Sequence, residues 1–467
     1  MKNNAIVDVR QFINERPMSS HQWMILALCF LIVAVDGMDV AIMGFLAPAI
    51  TKEWGISKAA FGMVMSAAPF GLVLGALVAG PMSDRIGRRK VLLASVITFG
   101  VFTALTAFTQ STLDMALMRL LTGVGLGAAM PNASTLLSEY VPEARRSFLV
   151  TLMFTGFNLG SAMIGFAAAG LIPEHGWRGV LMFGGAMPLL LTPLLWVWLP
   201  ESCRFMAVRG HASATIARQL SKVSGQAMPE GARYVSAELP ASGKTPVRQL
   251  FANGFATLSV SLWVTYFMGL MVIYLLTGWL PTLFKENGLS ISEAANVTAM
   301  FQLGGTVGAV LVGWVMDRLR PTRVISFAYL GGAAAVITLG MASTSMGTIA
   351  LWVTLAGFCM SGAQTGLNAY APSCYPTSAR ATGVSWMLGM GRFGSITGSM
   401  VGGLLLGLGW SFSHILVMLA IPAVLASIAV LGSRRQAALE PSHDTPAVPQ
   451  HVHVPGELHP AKATRSA

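Results

Sequence analysis

The sequence predicts an all-α polytopic membrane protein: twelve transmembrane helices in two pseudo-symmetric six-helix bundles. Three observations lead there. Of the 467 residues, 54% are hydrophobic and only 10% charged, against about 25% charged in ordinary soluble domains. Apolar runs long enough to cross a bilayer recur from one end to the other, near 24–50, 59–80, 91–110, 113–138, 147–172, 179–199, 253–281, 293–316, 322–342, 346–370, 381–408 and 412–432. The chain also repeats itself. Gly80-Pro81-Met82-Ser83-Asp84-Arg85 follows the second run and Gly313-Trp314-Val315-Met316-Asp317-Arg318 the eighth, an offset of 233. Tyr140 with Ala144-Arg145 follows the fourth and Tyr375 with Ala379-Arg380 the tenth, an offset of 235. Two landmarks at nearly one offset indicate a duplicated six-helix unit, and paired halves around a midplane site are a common transporter plan.

Taken in order, residues 1–23 form a polar tail without the short apolar core of a removable signal peptide. Span 1 opens the first bundle, 24–199, and holds Asp36-Gly37-Met38-Asp39 near its centre. A mid-membrane Asp costs roughly 2.5–3.5 kcal/mol on insertion scales, so both should face protein or a wet cavity. Their i, i+3 spacing puts them on one side of the helix, and Gly37 admits a close backbone or ligand. Either they pin neighbouring helices or at least one exchanges a proton. Span 4 opens on Arg119, followed by Gly123, Gly125 and Gly127, small residues that allow close helix packing. Arg119 is a candidate partner for a span-1 carboxylate, structurally or to assist proton release. Residues 200–252 read as a polar linker with seven Lys/Arg. The second bundle, 253–432, carries Arg392 near mid-depth of span 11. The tail 433–467 has Pro, His and Ala without periodicity and reads as disordered.

Lys and Arg counts orient the chain. With the N-terminus inside, the inner segments carry 24, the outer loops only Lys52, Lys58, Arg178 and Lys285, and the spans Arg119 and Arg392. Both termini are thus expected in the cytoplasm. The same distribution explains the net charge of +11 without nucleic acid. The four cysteines have neither metal nor disulfide spacing, and no nucleophile–base set suggests an enzyme.

Gly80-Pro81-Met82-Ser83-Asp84-Arg85-Ile86-Gly87-Arg88-Arg89-Lys90 is the most specific motif. It resembles the loop between helices 2 and 3 of the major facilitator superfamily, and Arg119 with its glycines resembles that superfamily's span-4 motif. The resemblance covers about residues 20–435. It implies gating roles for Asp84, Arg85, Gly87 and Arg88, and for Asp317 and Arg318 in the second copy, where Arg320-Pro321 replaces Gly87-Arg88. Glu139 and Arg145 look like a further inner-gate ion pair, with plain interfacial charge as the alternative. Pro200-Glu201-Ser202-Cys203-Arg204 partly matches a pattern of sugar and organic-acid facilitators, Cys203 standing where Pro is usual.

Asp36-Gly37-x-Asp39 together with Arg392 is similar to the aromatic acid:proton symporter family, which imports benzoate-like carboxylates. That resemblance implies proton coupling at Asp36, Asp39 and Arg119, and carboxylate binding at Arg392. The chemistry agrees, because a guanidinium presents a planar fork to a carboxylate; a permanent pairing of Arg392 with an Asp is the structural alternative. Candidates for the ring are Trp263, Tyr266, Phe267, Tyr274, Phe157 and Trp386, with Tyr266 and Trp386 preferred. Asn158, Gln364 and Asn368 are candidates to bond ring hydroxyls. The expectation is a monomeric bacterial inner-membrane importer of an aromatic carboxylate, without cofactor or metal and with the proton as coupling ion. An importer of another organic acid or a sugar, or a drug or metabolite antiporter of the same fold, remains the alternative.

Overall fold

The structure, a computed structural model, describes residues 6–228, 232–235, 250–251, 255–341, 345–375 and 377–433. The first long helix follows a short strand β1 (Ile6–Asp8) and helix α1 (Val9–Asn14). It is α2 (Ser20–Trp54), started by a Ser19–Gln22 capping box and stopped by Gly55 in the left-handed conformation, φ 63°. Then come α3 (Lys58–Ile86), α4 (Arg88–Thr106), α5 (Thr112–Tyr140) and a helical stretch α6 (Glu143–Trp198). Gly176, at φ 66° and ψ −175°, breaks α6 into two limbs, which are the fifth and sixth expected spans.

Two short helices, α7 (Cys203–Val208) and α8 (Ser213–Ser224), and strand β2 (Arg233–Val235) precede the second half. That half comprises α9 (Phe255–Glu286), α10 (Ile291–Met316), α11 (Pro321–Met341), α12 (Met346–Tyr370), α13 (Thr377–Gly407) and α14 (Phe412–Gly432). Each of the twelve expected spans falls on a helix or a limb of one. Among the described residues ten helices are long and apolar enough to cross a membrane: α2 to α6, α9 to α12 and α14.

Polar flanks that read as a tail and a linker have more structure than that. Ile6–Asp8 pairs in parallel with Arg233–Val235, and α8 buries Ile216, Ala217, Leu220 and Val223 on one face. These pieces join at the end of the bundle that carries the N-terminus and the α3–α4 turn, called the near end below. The C-terminal tail lies outside the described residues.

Within the first half α2 packs on α6, and α5 on α3 and α4; within the second, α9 packs on α13, α10 on α12 and α11 on α14. The halves meet through α6–α10, α3–α13 and α2–α9. Two polar contacts between them lie at the far end. Lys58 pairs with Glu286, and the Ser292 hydroxyl donates to the Ala169 carbonyl at 2.7 Å. Just beneath, the Phe61 and Trp279 rings meet edge to face at 6.4 Å.

Candidate functional site

Asp36 and Asp39 are both 2% exposed, but three residues of an α-helix leave them about 60° apart around its axis, and they meet different partners. Asp39 turns toward α4 and α5. Arg119, 1% exposed, donates from Nη1 to its Oδ1 at 3.1 Å and from Nη2 to its Oδ2 at 2.9 Å. Arg119 Nη2 also reaches the Asp39 carbonyl at 3.1 Å, and the Thr103 hydroxyl donates to Oδ1. This is a two-pronged buried ion pair with its carboxylate oxygens satisfied, contained wholly within the first half. Thr103 carried no signal in the sequence, since one threonine in an apolar run looks like any other.

Asp36 is different. Its Oδ2 is buried and has no hydrogen-bond partner among the described residues. The groups that act on it electrostatically are Arg392, on α13 of the other half, and Asp39. Gly37, between the two aspartates, is needed for backbone and not for a ligand. A Cβ there would sit 2.0 Å from the Phe157 carbonyl oxygen, and the Ser161 hydroxyl donates to the Gly37 carbonyl at 2.7 Å. The close α2–α6 crossing therefore fixes the rotation of α2 and with it the directions of both carboxylates.

Across the cleft, Arg392 acts electrostatically on the Tyr266 and Tyr274 hydroxyls of α9. Tyr266 also neighbours Gln364 and Asn368 of α12. The Tyr329 hydroxyl, fully buried, donates to Gln364 Oε1 at 2.8 Å, which leaves the Gln364 amide nitrogen without a partner among the described residues. Asn368, one turn further along α12, is exposed. Asn158 of α6 reaches the opposite half: its amide nitrogen lies 3.3 Å from where a Cβ of Gly305 would be, beside Ser361. Met43, Met65, Arg119, Phe157 and Tyr274 line one cavity, contributed by both halves. An apolar, partly aromatic cavity with Arg119 on its wall thus lies between the halves, while Asp36, with one buried oxygen unpartnered among the described residues, and Arg392 act on each other from opposite halves.

Trp386 does not join this group. It is 42% exposed and stacks on Trp263 with ring centroids 5.7 Å apart. It shares the outward face of α13 with Phe393 and Met400, which are also exposed. The reason is angular: Trp386 lies six residues from Arg392, about 120° around the helix.

At the near end the expected gate residues assemble in part. Arg88 pairs with Asp84 at 3.0 Å and with Glu139 at 3.6 Å. The partner expected for Glu139 was Arg145; that side chain is exposed and forms no ion pair among the described residues. Arg85 is exposed, as are Asp317 and Arg318 of the second copy. Arg318 lies 3.6 Å from the Trp314 ring centroid and donates to the Trp314 carbonyl, so this copy forms no charge pair among the described residues.

The residue missed at this end is Glu201. Its Oε1 accepts from the Arg88 and Arg89 backbone N–H groups at 2.9 and 3.3 Å, capping α4, whose own N-cap residue Gly87 offers no side chain. Gly87 has φ 102°, and a Cβ on it would stand 2.2 Å from Glu201 Oε2. The loop motif and the Pro200-Glu201 motif are thus two parts of one cap, and their individual resemblances were the only sequence signal of it. Cys203 beside them touches the Tyr140 hydroxyl at 3.3 Å, and burial pushes its thiol up to about 12.

Comparison with known proteins bears on this geometry. Residues 29–286 and 262–462 match the family described as the Major Facilitator Superfamily. The chain is 52% identical over 430 residues to a gallate transporter of Pseudomonas putida, covering 92% of this chain and 96% of that protein. It is 47% identical over 426 residues to the 4-hydroxybenzoate transporter PcaK of the same organism, covering 91% and 95%. A solved structure of the xylose transporter XylE from E. coli superposes with a TM-score of 0.67 at 16% identity, over 87% of this chain and 95% of that one. At that identity the likeness speaks for the fold alone.

Proposed function

The chain belongs to the Major Facilitator Superfamily, among its aromatic acid transporters, and on that premise we propose that it imports a hydroxylated aromatic carboxylate together with a proton. The near end is taken as cytoplasmic, from the distribution of Lys and Arg. The observation that carries the reading is the facing pair in the cleft: Arg392 on one half, and on the other a buried carboxylate, Asp36, with an unpartnered oxygen.

Asp36 accepts a proton from the outer side, which lowers the cost of keeping it buried. With Asp36 neutral, Arg392 lacks an anionic partner, and the substrate carboxylate supplies one through two parallel N–H···O bonds. The ring lies in the chamber lined by Met43, Met65 and Phe157, and Gln364 and Asn368 meet its hydroxyls. Charge in the cleft is then balanced, and the halves rock to expose it to the cytoplasm. Loss of the proton there restores the Asp36 anion, which competes for Arg392 and releases the substrate. Asp39, already satisfied by Arg119 and Thr103, holds Arg119 in place.

The test is uptake of radiolabelled 4-hydroxybenzoate, gallate and benzoate into proteoliposomes, with and without an inward proton gradient. Accumulation that a protonophore abolishes, and that the three acids compete for, is expected. Failure of folded protein to take up any aromatic acid would refute the substrate class. Uptake indifferent to the gradient would refute the coupling.

A further inference from the structure

The outer closure contains a feature that neither the motifs nor the relatives explain. Lys58 is the first residue of α3, behind its cap Ser57, and Glu286 is the last residue of α9. A helix carries partial positive charge at its N-terminus and negative charge at its C-terminus. Each side chain therefore has the wrong sign for its own helix end: a cation on a positive pole and an anion on a negative one. Within its own half, each placement costs stability.

Across the cleft the two join in an ion pair, with the side chains 33% and 36% exposed. The same contact brings the N-terminal pole of α3 to the C-terminal pole of α9. Two wrong signs become complementary only when the outer end is closed. Beneath the pair the backbones nearly touch. A Cβ on Gly403 of α13 would stand 2.6 Å from the Lys58 carbonyl oxygen and 3.0 Å from Gly62 Cα. Trp279 seals the layer below, its indole N–H donating to the Ser399 carbonyl at 2.8 Å. The cavity, which Met65 lines, begins one turn further down.

We propose that Lys58 and Glu286 form an electrostatic latch that holds the outer entrance shut and sets how readily the halves separate there. The inference rests on the rocking of the two halves proposed above, but not on the identity of the substrate. Because the pair is partly exposed, external salt weakens it. The apolar layer of Phe61 and Trp279 is insensitive to salt, so the entrance is closed by one salt-dependent and one salt-independent contact.

The test reads accessibility from outside. In intact cells expressing a chain with its native cysteines replaced by Ser and carrying Met65→Cys, a membrane-impermeant maleimide labels position 65 only when the outer end opens. Glu286→Gln and Lys58→Gln should each raise the labelling rate about 1.5- to 5-fold, the range for a partly exposed ion pair. The exchanged pair Lys58→Glu/Glu286→Lys should return only part of the way toward the slow rate, since it restores the ion pair but its charges suit their own helix ends in the open state as well. Raising external salt should speed labelling with the native pair and leave the Gln variants unchanged. Gly403→Val wedges α3 from α13 and sets the fast limit. Slow labelling of both Gln variants alongside fast labelling of Gly403→Val would overturn the latch while leaving the rocking motion intact. If Gly403→Val also stays unlabelled, the outer end does not open and both readings fall. Substrate plays no part in the assay, so an error in the substrate class leaves its outcome unchanged.

Discussion

Asp36→Asn and Asp39→Asn are nearly the same change three residues apart in one helix, and the structure predicts a large loss of stability for the second and almost none for the first. Asp39 neutralises Arg119 in a site where the side chains are 2% and 1% exposed. Replacing its carboxylate by an amide leaves the guanidinium without a counter-charge. Breaking a buried pair from one side costs about 3–5 kcal/mol. At about 2 °C per kcal/mol for a large domain, that lowers the unfolding midpoint by roughly 6–10 °C. The double variant Asp39→Asn/Arg119→Gln removes both charges together and should recover most of the loss, because a matched neutral pair carries no such penalty. Asp36 has one buried oxygen with no bond to lose. Its amide keeps the volume and removes a charge that burial opposes, against the lost attraction of Arg392. The net effect on stability should stay within about 1 kcal/mol, while proton-driven accumulation is abolished. The assay is thermal unfolding of purified protein in detergent, paired with uptake in proteoliposomes. A midpoint for Asp36→Asn as low as that for Asp39→Asn would refute the division of labour. So would full accumulation by Asp36→Asn.

Three further outcomes follow. Arg392→Lys should raise the KM for aromatic acids at least tenfold with little change in thermal stability, because a point charge cannot reproduce the two-pronged contact; an unchanged saturation curve would make Arg392 structural. Gly87→Ala should lower stability by about 2–4 kcal/mol, combining the left-handed backbone with eviction of Glu201 from the α4 amides, whereas Glu201→Gln should cost about 1 kcal/mol; equal midpoints for Gly87→Ala and the native chain would refute the shared cap. Cys203, held as the thiol at physiological pH by burial that pushes it up to about 12, should resist maleimide in the folded protein at pH 7.5 and react on denaturation, read by mass spectrometry.

The helices were legible in the sequence because lipid imposes long apolar runs, whereas the serines that cap four of them, Ser19, Ser57, Ser111 and Ser290, were not read as starts. The intramembrane charges were legible because so few exist. Their pairing was not. Which aspartate meets Arg119 depends on the rotation of α2, which Gly37 and Phe157 set through a contact between residues 120 positions apart. Trp386 shows the limit of reading aromatics from composition alone, since a tryptophan on a lipid-facing stripe and one on a cavity wall look alike. Residues 200–252, which include α8, were read as linker because α8 is too short and polar to resemble a span, although Ile216, Leu220 and Val223 already repeat at helical spacing. Lys58 and Glu286 lie 228 positions apart in separate polar turns, and nothing in either turn names its partner.

A rocking mechanism also decides which charges can do the coupling. When two rigid halves move against each other, contacts within a half persist and contacts between halves are made and broken. The Asp39–Arg119 pair, the Thr103 bond and the Glu201 cap all lie within the first half and its attached near-end helix. On the proposed cycle they are the same on both sides of the membrane, so they can shape the field in the cleft but cannot report its state. Asp36 opposite Arg392 and Lys58 against Glu286 both span the halves. The first joins α2 to α13, and on the proposed cycle protonation or a substrate carboxylate changes its energy; the second is at the outer entrance, where neither reaches it. Separating the two lets the substrate and proton govern when the cleft becomes neutral, while a fixed electrostatic contact governs how far the outer entrance resists opening. A carboxylate without a protein hydrogen-bond partner on one oxygen is a standing cost to the fold, and it is placed where filling and emptying the site changes that cost.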